Sequence, residues 1–365
     1  MRPMKKIDKQ IEIVTSTIPA LSSMSEESSK AIQESLAKSY KTVGVSIVDN
    51  EADLKALIEK NPDLVLLGMA YLPRKATATN SSPYIWIADE LFRNHILYTG
   101  SGMDATVLVE DKLKAKKVIK KADLATAPFF MAYTGQFTSE SQVPLPFPVF
   151  IKPPKLGHSV GVDKLSIAKT YREYKSKIAK LDKDLDSESL VEAYLTGREF
   201  TVAIVKDKPV ANKVSTAEND EQPEEIEETY QVMPLELKAP ENSNGDIIIG
   251  HKFKSSDVQT ETEIVSDPDM KKALSELALD CFKALGAKDY ARIDIRCDSE
   301  GNPQFIKADL IPGVMDDSSN FQKAYNLNSK ISDKDMLLRI VELGFEGHET
   351  YVAPVIPEPS EEESK

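Results

Sequence analysis

The stretch YARIDIRCDSEGNPQFIKADLIPG, residues 290–313, decides the fold that we expect for this chain. Its first half alternates the apolar residues Ala291, Ile293 and Ile295 with charged ones, a period of two that is typical of a strand with one buried face. Its second half repeats the alternation, and the turn residues DSEGN at 298–302 lie between the two halves. The stretch therefore predicts a β-hairpin that ends in an Ile-Pro-Gly loop.

The charged face of this hairpin carries the first candidate site. Asp294 lies on the first strand, and the alternation places Phe305, Lys307 and Asp309 together on one face of the second strand. Asp294 and Asp309 could therefore meet across the ladder. Two carboxylates beside an ammonium group indicate either a platform for a metal ion and a phosphate group or the remnant of such a platform.

The composition limits the class of protein. With 365 residues, 41% of them hydrophobic, and a mean hydropathy of −0.33, the chain should fold into two or three domains. The net charge of −13 argues against a nucleic-acid partner, since a phosphate backbone requires a basic surface. No run of roughly 18 apolar residues occurs, and no apolar segment follows the basic N-terminus, which predicts a cytoplasmic protein with no membrane partner. The two cysteines, Cys281 and Cys297, fit packing positions better than a disulfide or a metal site.

The N-terminal part of the chain predicts a small parallel α/β domain. A short β-rich run at 11–15 precedes an amphipathic helix over 23–40, in which Ser23 and Glu26 have the spacing of a capping box. A strand over 42–48 completes a βαβ unit. The elements expected next are a helix over 52–60, a buried strand over 63–68 and a helix over 83–94.

A lysine closes a buried strand in the middle of the chain. The run Val-Phe-Ile-Lys at 149–152 is followed by two prolines and by a glycine-bearing loop at 157–161. Lys152 is well placed to put a point charge on a phosphate group, with the N–H groups of the loop as a cradle. From these residues alone, the alternative is a strand-end lysine whose ammonium group reaches water.

The second half of the chain mixes helices, strands and acidic segments. An acidic block over 215–230 predicts a mobile loop that could serve as a lid, and the proline-rich acidic tail over 354–365 predicts disorder. The remaining elements expected are a helix over 104–121 with a solvated lysine face, helices over 171–181, 268–285 and 334–343, and strands over 189–195, 199–205 and 210–214.

Six short motifs follow one another in a fixed order. They are Tyr-Thr-Gly-Ser at 98–101, Ile-Lys-Pro at 151–153, Gly-x-Ser-x-Gly at 157–161, Val-Glu at 191–192, Gly-Arg-Glu-Phe-Thr-Val-Ala at 197–203 and Ile-Pro-Gly at 311–313. Together they resemble the D-alanine:D-alanine ligases of the ATP-grasp superfamily. Ordered motifs over residues 96–345 are far more specific than any one of them alone.

The resemblance implies the fold and the division into domains. It implies an α/β and α+β architecture, in which an N-terminal parallel α/β domain precedes the ATP-grasp fold. The implied segments are an N-terminal domain at 1–102, a central ATP-grasp subdomain at 103–187, a C-terminal ATP-grasp subdomain at 188–347 and a disordered tail at 348–365.

The resemblance also implies an ATP site. Lys112 and Lys152 resemble the two lysines that contact the nucleotide phosphates, while Ser159 and Gly161 belong to the loop over those phosphates. Glu199 resembles the acid that accepts hydrogen bonds from the ribose hydroxyls, a task for an acceptor-only carboxylate. The segment implied to hold adenine consists of Glu192, Ala193, Tyr194 and Leu195.

Further residues are implied for the chemistry. Asp294 and Asp309 stand at magnesium-ligand positions, so Mg²⁺ is the second implied cofactor, with the number of ions left open. Gly313 and Ser319 lie where the contacts to the carboxyl end of the substrate fall. Arg292 resembles the arginine that steadies an acyl phosphate, since a bidentate donor suits charge on phosphoryl oxygens. The residues implied to be catalytic are Arg292, Ser159 and Gly313.

The function implied is an ATP-dependent carboxylate–amine ligase. Such an enzyme joins small amino-acid substrates through an acyl phosphate, and the family member implied is D-alanine–D-alanine ligase, which serves peptidoglycan synthesis. A homodimer is a further implication of the resemblance.

Two departures leave alternatives open. The family places a glutamate and an asparagine where this chain has Lys307 and Asp309, so an ammonium group stands where a ligand of two magnesium ions is expected. Either this ammonium replaces one ion, or the site is impaired and the protein only binds nucleotide, or the sequence carries an introduced change.

The turn at 15–22 also lacks the family's Gly-Gly and acid, and residues 71–74 replace its His-Gly signature, which leaves room for other amino-acid substrates.

Overall fold

The structure, a computed structural model, describes residues 5–74, 84–155, 160–208, 228–238, 261–329 and 331–347. Within these residues the strands form two four-stranded sheets, one five-stranded sheet and one two-stranded sheet. The predicted strand over 210–214, most of the acidic block, the tail and Ser159 lie outside the described residues. Among the described helices, none is both long and apolar enough to span a bilayer.

The first sheet lies in the N-terminal part of the chain. Its strands and their helices are β1 (Ile7–Thr15), α1 (Glu26–Leu36), β2 (Tyr40–Ile47), α2 (Glu51–Glu59), β3 (Leu64–Leu67), α3 (Ile87–Arg93) and β6 (Leu97–Tyr98). The strand order is β2-β1-β3-β6, and every pair is parallel. All four residues of β3 are buried, as expected for a strand covered on both faces. The predicted parallel α/β unit is therefore confirmed.

Helix α1 begins later than predicted. Its N-cap is Ser25, whose side chain accepts a hydrogen bond from the Ser28 N–H at 3.0 Å. Ser23 does not cap the helix: its N–H and its hydroxyl both donate to the Gly68 carbonyl, at 2.8 Å and 3.2 Å. This contact ties the turn before α1 to the end of β3.

Two predicted helices are divided. The segment predicted as a helix over 83–94 begins with strand β5 (Tyr84–Trp86), which pairs with β4 (Tyr71–Pro73) before α3 starts. The helix predicted over 104–121 is two helices, α4 (Met103–Glu110) and α5 (Lys112–Lys121). The break falls at Asp111, whose extended backbone ends α4 and whose carboxylate accepts hydrogen bonds from the first turn of α5.

The second sheet is antiparallel and has the order β7-β10-β8-β9. Its elements are β7 (Phe129–Ala132), a 3₁₀ helix (Glu140–Gln142), β8 (Val149–Lys152), a second 3₁₀ helix (Lys164–Ser166), β9 (Ile167–Ala168), α6 (Tyr171–Leu185) and β10 (Ser189–Ala193). The predicted domain division at 187/188 cuts this sheet, because β10 pairs with both β7 and β8.

The third sheet has the order β13-β12-β11-β14-β15 and is antiparallel throughout. Its strands and the helices near them are β11 (Glu199–Lys206), β12 (Tyr230–Lys238), β13 (Glu261–Ile264), α7 (Pro268–Ala284), β14 (Tyr290–Cys297), β15 (Pro303–Asp309), α8 (Asn320–Asn328) and α9 (Asp333–Glu346). The hairpin predicted over residues 290–313 is thus the β14–β15 edge of this sheet.

The hairpin contains a β-bulge that the strict alternation does not predict. Asp294 lies opposite Lys307, but Ile295 lies opposite Phe305, so one extra residue enters β15. The Phe305 N–H donates to the Ala125 carbonyl at 2.8 Å instead of to β14. As a result, the Phe305 side chain is fully buried in the core and does not share the face of Lys307.

The first and third sheets share one hydrophobic core. Apolar side chains from β1, β3, β11 and the helices α8 and α9 belong to the same buried cluster. Polar contacts connect the same regions: the Gly100 N–H donates to Oδ2 of Asp289 at 3.0 Å, and the Lys288 N–H donates to Oγ of Ser101 at 3.0 Å. The N-terminal sheet is therefore packed firmly against the sheet that carries the hairpin.

Candidate active site

The floor of the site is the charged face of β14 and β15. The Arg292 guanidinium group lies between two carboxylates: its Nε donates to Oδ1 of Asp294 at 3.1 Å, and its Nη2 lies 3.2 Å from Oδ2 of Asp309. The Lys307 ammonium group lies 3.3 Å from Oδ2 of Asp294. The two acids are therefore diagonal neighbours joined by Arg292, and the prediction that they face each other directly is wrong because of the register.

The Asp294 carboxylate has a cationic partner at each oxygen. Thr201 on the neighbouring strand β11 also donates its hydroxyl to Oδ1 at 2.9 Å. Burial opposes the charged form, but the Arg292 guanidinium and the Lys307 ammonium outweigh it and lower the pKa of Asp294 to about 2. Asp294 is thus an ionised acid throughout the physiological pH range.

Glu199, implied to bind ribose, lies at the start of β11. Burial raises the pKa of Glu199 to about 7, against the opposing effect of the Arg296 guanidinium. Nη1 of Arg296 lies 3.3 Å from Oε2 of Glu199, and the guanidinium lies over the Tyr194 ring at 5.3 Å from its centroid. Sequence reasoning did not select Arg296, although its place on the charged side of the β14 alternation was the available signal.

A buried triad of charges lies beside the floor. Glu192 on β10 forms ion pairs with two lysines: Nζ of Lys116 lies 2.8 Å from Oε1, and Nζ of Lys152 lies 2.7 Å from Oε2. All three side chains are at most 7% exposed. Burial disfavours the Glu192 anion, but the two ammonium groups outweigh it and lower the pKa of Glu192 to about 2. Lys152 is therefore held at the end of β8 by a charge partner and does not reach into water.

Sequence reasoning missed Lys116 because it treated most lysines of this helix as a solvated face. Lys116 follows Lys112 by four residues and precedes the buried Ile119 by three, the spacing of one helix face. Its Nζ also lies 2.6 Å from Oγ1 of Thr126. The signal for Lys116 was therefore its position on the apolar side of α5.

Lys112 begins α5 at the junction of the second and third sheets. Its backbone N–H donates to the Pro154 carbonyl at 2.9 Å, which fixes the start of α5 beside the end of β8. Burial, together with the positive charges of Lys152 and Lys307, lowers the pKa of Lys112 to about 8. Lys152 belongs to the second sheet and Lys307 to the third, so positive charges from both sheets lower the pKa of the same ammonium group, that of Lys112.

Gly161 lies at the C-terminal end of the glycine-bearing loop. Its backbone φ is +77°, a left-handed conformation that favours glycine. Its carbonyl accepts a hydrogen bond of 2.8 Å from Nζ of Lys177, and that ammonium group also lies 2.8 Å from Oδ1 of Asp163. A buried lysine thus anchors this end of the loop to α6.

Gly313 and Ser319, the two residues implied to contact the substrate, lie close together. A Cβ atom added to Gly313 would lie 2.9 Å from the Ser23 carbonyl oxygen and 3.4 Å from Cβ of Ser319, so the position requires glycine. Oγ of Ser319 is buried and has no hydrogen-bond partner among the described residues. The tertiary structure thus places the turn before α1 beside the loop that follows the hairpin.

The segment implied to hold adenine continues from β10. The Ala193 N–H donates to the Pro128 carbonyl at 2.9 Å, and the Tyr194 N–H donates to the Pro148 carbonyl at 3.2 Å. Ala193, Tyr194 and Leu195 are half-buried, so the segment forms a partly covered edge between the second and third sheets.

The acids of the floor do not fit a site for two divalent ions. Among the described residues, no cluster of three or more acid, histidine or cysteine side chains could hold a metal ion. The oxygens of Asp294 are taken by Arg292, Lys307 and Thr201, and Asp309 also has Arg292 as its partner. Magnesium normally requires several oxygen ligands at about 2.0–2.1 Å, and an ammonium group competes for them here.

Comparison with known proteins supplies the family context. Residues 118–342 match the family model described as D-ala D-ala ligase C-terminus. Curated relatives include the D-alanine–D-alanine ligase of Hydrogenovibrio crunogenus, 28% identical over 60% of this chain, and that of Alcanivorax borkumensis, 29% identical over 61%. The matched region spans 61% of the length of each of these two relatives.

Solved structures are similar over more of the chain. The D-alanine–D-alanine ligase from Bacillus anthracis complexed with ATP superposes with a TM-score of 0.65 at 19% identity, covering 93% of this chain and 98% of that one. The ligase from Coxiella burnetii superposes with a TM-score of 0.62 at 14% identity, covering 93% of this chain and 94% of that one. At such identities the likeness concerns the fold.

Proposed function

The chain belongs to the family described as D-ala D-ala ligase C-terminus and has the ATP-grasp fold, and from this premise we propose that it is an ATP-dependent carboxylate–amine ligase. The observation that carries the proposal is the hydrogen bond from the Lys112 N–H to the Pro154 carbonyl, which fixes Lys112 beside the end of β8 that carries the buried Lys152; the positive charge of Lys307 from the third sheet also acts on Lys112. A highly charged anion is the ligand that such a cluster favours. A nucleotide triphosphate fits it better than an amino acid does.

We assign the nucleotide contacts as follows. Lys112 and Lys152 bind the phosphates, under the loop that contains Ser159 and Gly161. The edge segment Glu192–Leu195 holds the base, and Glu199 accepts the ribose hydroxyls. The burial of Lys152 on Glu192 supports its part in this assignment, because a lysine held in one place is preorganised for a phosphate oxygen.

The reaction proceeds in two steps. A substrate carboxylate oxygen attacks the γ-phosphorus of ATP, which breaks the bond to the β–γ bridging oxygen and gives an acyl phosphate and ADP. The amine of a second substrate then attacks the acyl carbon, expels phosphate and loses a proton to form the amide. Arg292 faces the phosphoryl oxygens in both steps and offsets their charge, while Gly313 and Ser319 contact the carboxyl end of the substrate. No step is assigned to magnesium, because Asp294 and Asp309 are paired with protein cations.

We propose D-alanine as the substrate at both positions. The family description and the names of the relatives support this choice. A different amino-acid pair is the alternative, because Ser23 and its neighbours form the turn beside Gly313 without an acidic side chain. A homodimer and a cytoplasmic location stay predictions.

A direct assay tests the proposed reaction. The protein is incubated with ATP and D-alanine, with and without Mg²⁺, and released phosphate and dipeptide are measured. We expect phosphate release that depends on D-alanine and matches the dipeptide formed. A panel of other amino acids then identifies the preferred pair. Phosphate release that no amino acid alters would contradict every ligase assignment.

A second candidate function is nucleotide binding without ligation. The ion pair between Lys307 and Asp294 favours this second candidate. In that pair the Lys307 ammonium group is the counter-ion of an acid that a ligase of this family uses as a metal ligand. ATP binding in a calorimetric titration, together with no phosphate release in the assay above, would support this candidate.

The pKa of Lys112 predicts how nucleotide affinity depends on pH. Without ligand the pKa is about 8, and a bound phosphate raises it, because the anion stabilises the ammonium form. Affinity for ADP should therefore be constant below pH 8 and fall above it by about tenfold per pH unit. The Lys112→Arg variant stays charged over this pH range, so its affinity for ADP should not fall above pH 8. An unchanged wild-type affinity between pH 8 and pH 9.5 would contradict the assignment of Lys112 to the phosphates.

A further inference from the structure

The charges on the floor balance without a metal ion. Arg292 and Lys307 provide two positive charges, and Asp294 and Asp309 provide two negative ones. Each acid therefore has a protein cation as its counter-ion. A carboxylate that served a divalent ion would need at least one oxygen facing away from such cations, and Asp294 has none.

The positive charge of Lys307 also influences ionisable groups other than Asp294. Its side chain is 41% exposed, and its ammonium group lies 3.3 Å from Asp294, so one side faces the acid and the rest remains open. Burial raises the pKa of Glu110 and Glu199 and lowers that of Lys112; the positive charge of Lys307 opposes the rise at the two acids and adds to the fall at Lys112, and these three residues belong to three different elements. The ammonium group therefore lies within electrostatic range of the groups assigned to phosphate and ribose.

We infer that the Lys307 ammonium group performs the charge-neutralising role of a divalent cation, so that this protein binds ATP without a metal ion held by Asp294 and Asp309. The inference rests on the proposed nucleotide site and concerns how that site balances the phosphate charge. An ammonium group can donate hydrogen bonds to phosphate oxygens as a point charge and needs no dehydration of an ion. It also repels a divalent ion from the same carboxylate.

The test measures ATP binding, not turnover. Isothermal titration calorimetry gives the Kd for ATP with excess EDTA and with excess Mg²⁺, for the wild type, Lys307→Glu, Lys307→Gln and the control Lys271→Glu. Lys271 is an exposed lysine on α7, so its replacement makes the same charge change away from the site. Thermal melts confirm that all variants are folded.

We expect the wild type and the Lys271→Glu control to bind ATP with Kd values that differ by less than about threefold between EDTA and Mg²⁺. Lys307→Gln should bind at least about tenfold more weakly in EDTA, because the point charge is gone. Lys307→Glu should bind weakly in EDTA and gain at least about tenfold in Mg²⁺, because the new carboxylate supplies a metal ligand beside Asp294.

The outcomes separate the inference from the proposed function. If the wild type binds ATP tightly only in Mg²⁺, the inference is wrong but the proposed nucleotide site is not. Asp294 and Asp309 would then be metal ligands. Metal-independent binding that Lys307→Gln does not weaken also overturns it. The absence of ATP binding under both conditions refutes the proposed function, and the inference with it.

Discussion

Replacing Arg292 by alanine is expected to lower the rate of acyl-phosphate formation by about 10²–10³-fold. The guanidinium group lies between Asp294 and Asp309, which hold it on the floor of the site with its fork in a fixed direction. A donor that is preorganised toward developing phosphoryl charge lowers the barrier of the chemical step, and its loss affects turnover more than substrate binding. Trapping of the acyl phosphate with hydroxylamine, at saturating ATP and D-alanine, measures this step.

Two further variants distinguish this role from simple charge. Arg292→Lys keeps the positive charge but loses the bidentate geometry, so we expect it to recover only a small part of the rate. Arg172→Ala removes an exposed arginine on α6 and should leave the rate unchanged. If Arg292→Ala folds and retains more than a tenth of the wild-type rate, Arg292 has no part in the chemistry.

Replacing Glu192 by glutamine is expected to destabilise the protein by about 3–5 kcal/mol. The substitution leaves the buried ammonium groups of Lys116 and Lys152 without their shared anion. Chemical denaturation measures the free energy of unfolding. Glu188→Gln, at an exposed acid just before β10, is the matched control and should change that free energy by less than about 0.5 kcal/mol.

The pH dependence of this effect has a fixed sign. The pKa of Glu192 is about 2 in the folded protein, below the ordinary value of 4.5 for this carboxyl group. The stabilisation by the charged form is therefore complete above the unfolded pKa and is lost as the pH falls toward the folded pKa. The difference between wild type and Glu192→Gln should shrink as the pH falls from 5 toward 2. A difference that is independent of pH would show that the charge of Glu192 is not its cause.

A double variant tests whether the triad acts as a unit. In Lys116→Met with Glu192→Gln, one of the two unpaired ammonium groups is gone, so the loss of stability should be smaller than the sum of the two single losses. Strict additivity would mean that Lys116 and Glu192 do not stabilise each other.

The alternation in residues 290–313 was sufficient to predict a hairpin with one charged face, because the period of two is a local property of a strand. It could not predict the bulge at Phe305. That bulge arises because the backbone at Ala125, far away in sequence, accepts the Phe305 N–H and removes it from the ladder. The observed register places Asp294 opposite Lys307 and Asp309 opposite Arg292, so the two acids pair with these cations and not with each other.

Helix boundaries show the same limit. The pattern over 104–121 is helical throughout, but the Asp111 carboxylate captures the N–H groups of the following turn and divides the helix. The capping-box spacing of Ser23 and Glu26 was a valid local signal. In the structure the Ser23 hydroxyl donates to the Gly68 carbonyl just after β3, and Ser25 caps the helix instead.

The sequence by itself determined the fold class, the order of the motifs and the residue types of the site, because periodicity, turn residues and spacing are written along the chain. Only the tertiary structure decided which charges are partners. The triad of Lys116, Lys152 and Glu192 unites three separate elements, and the pairing of Lys307 with Asp294 depends on strand register. Coulomb energies in a buried site depend on distance and exposure, and neither quantity exists until the chain has folded.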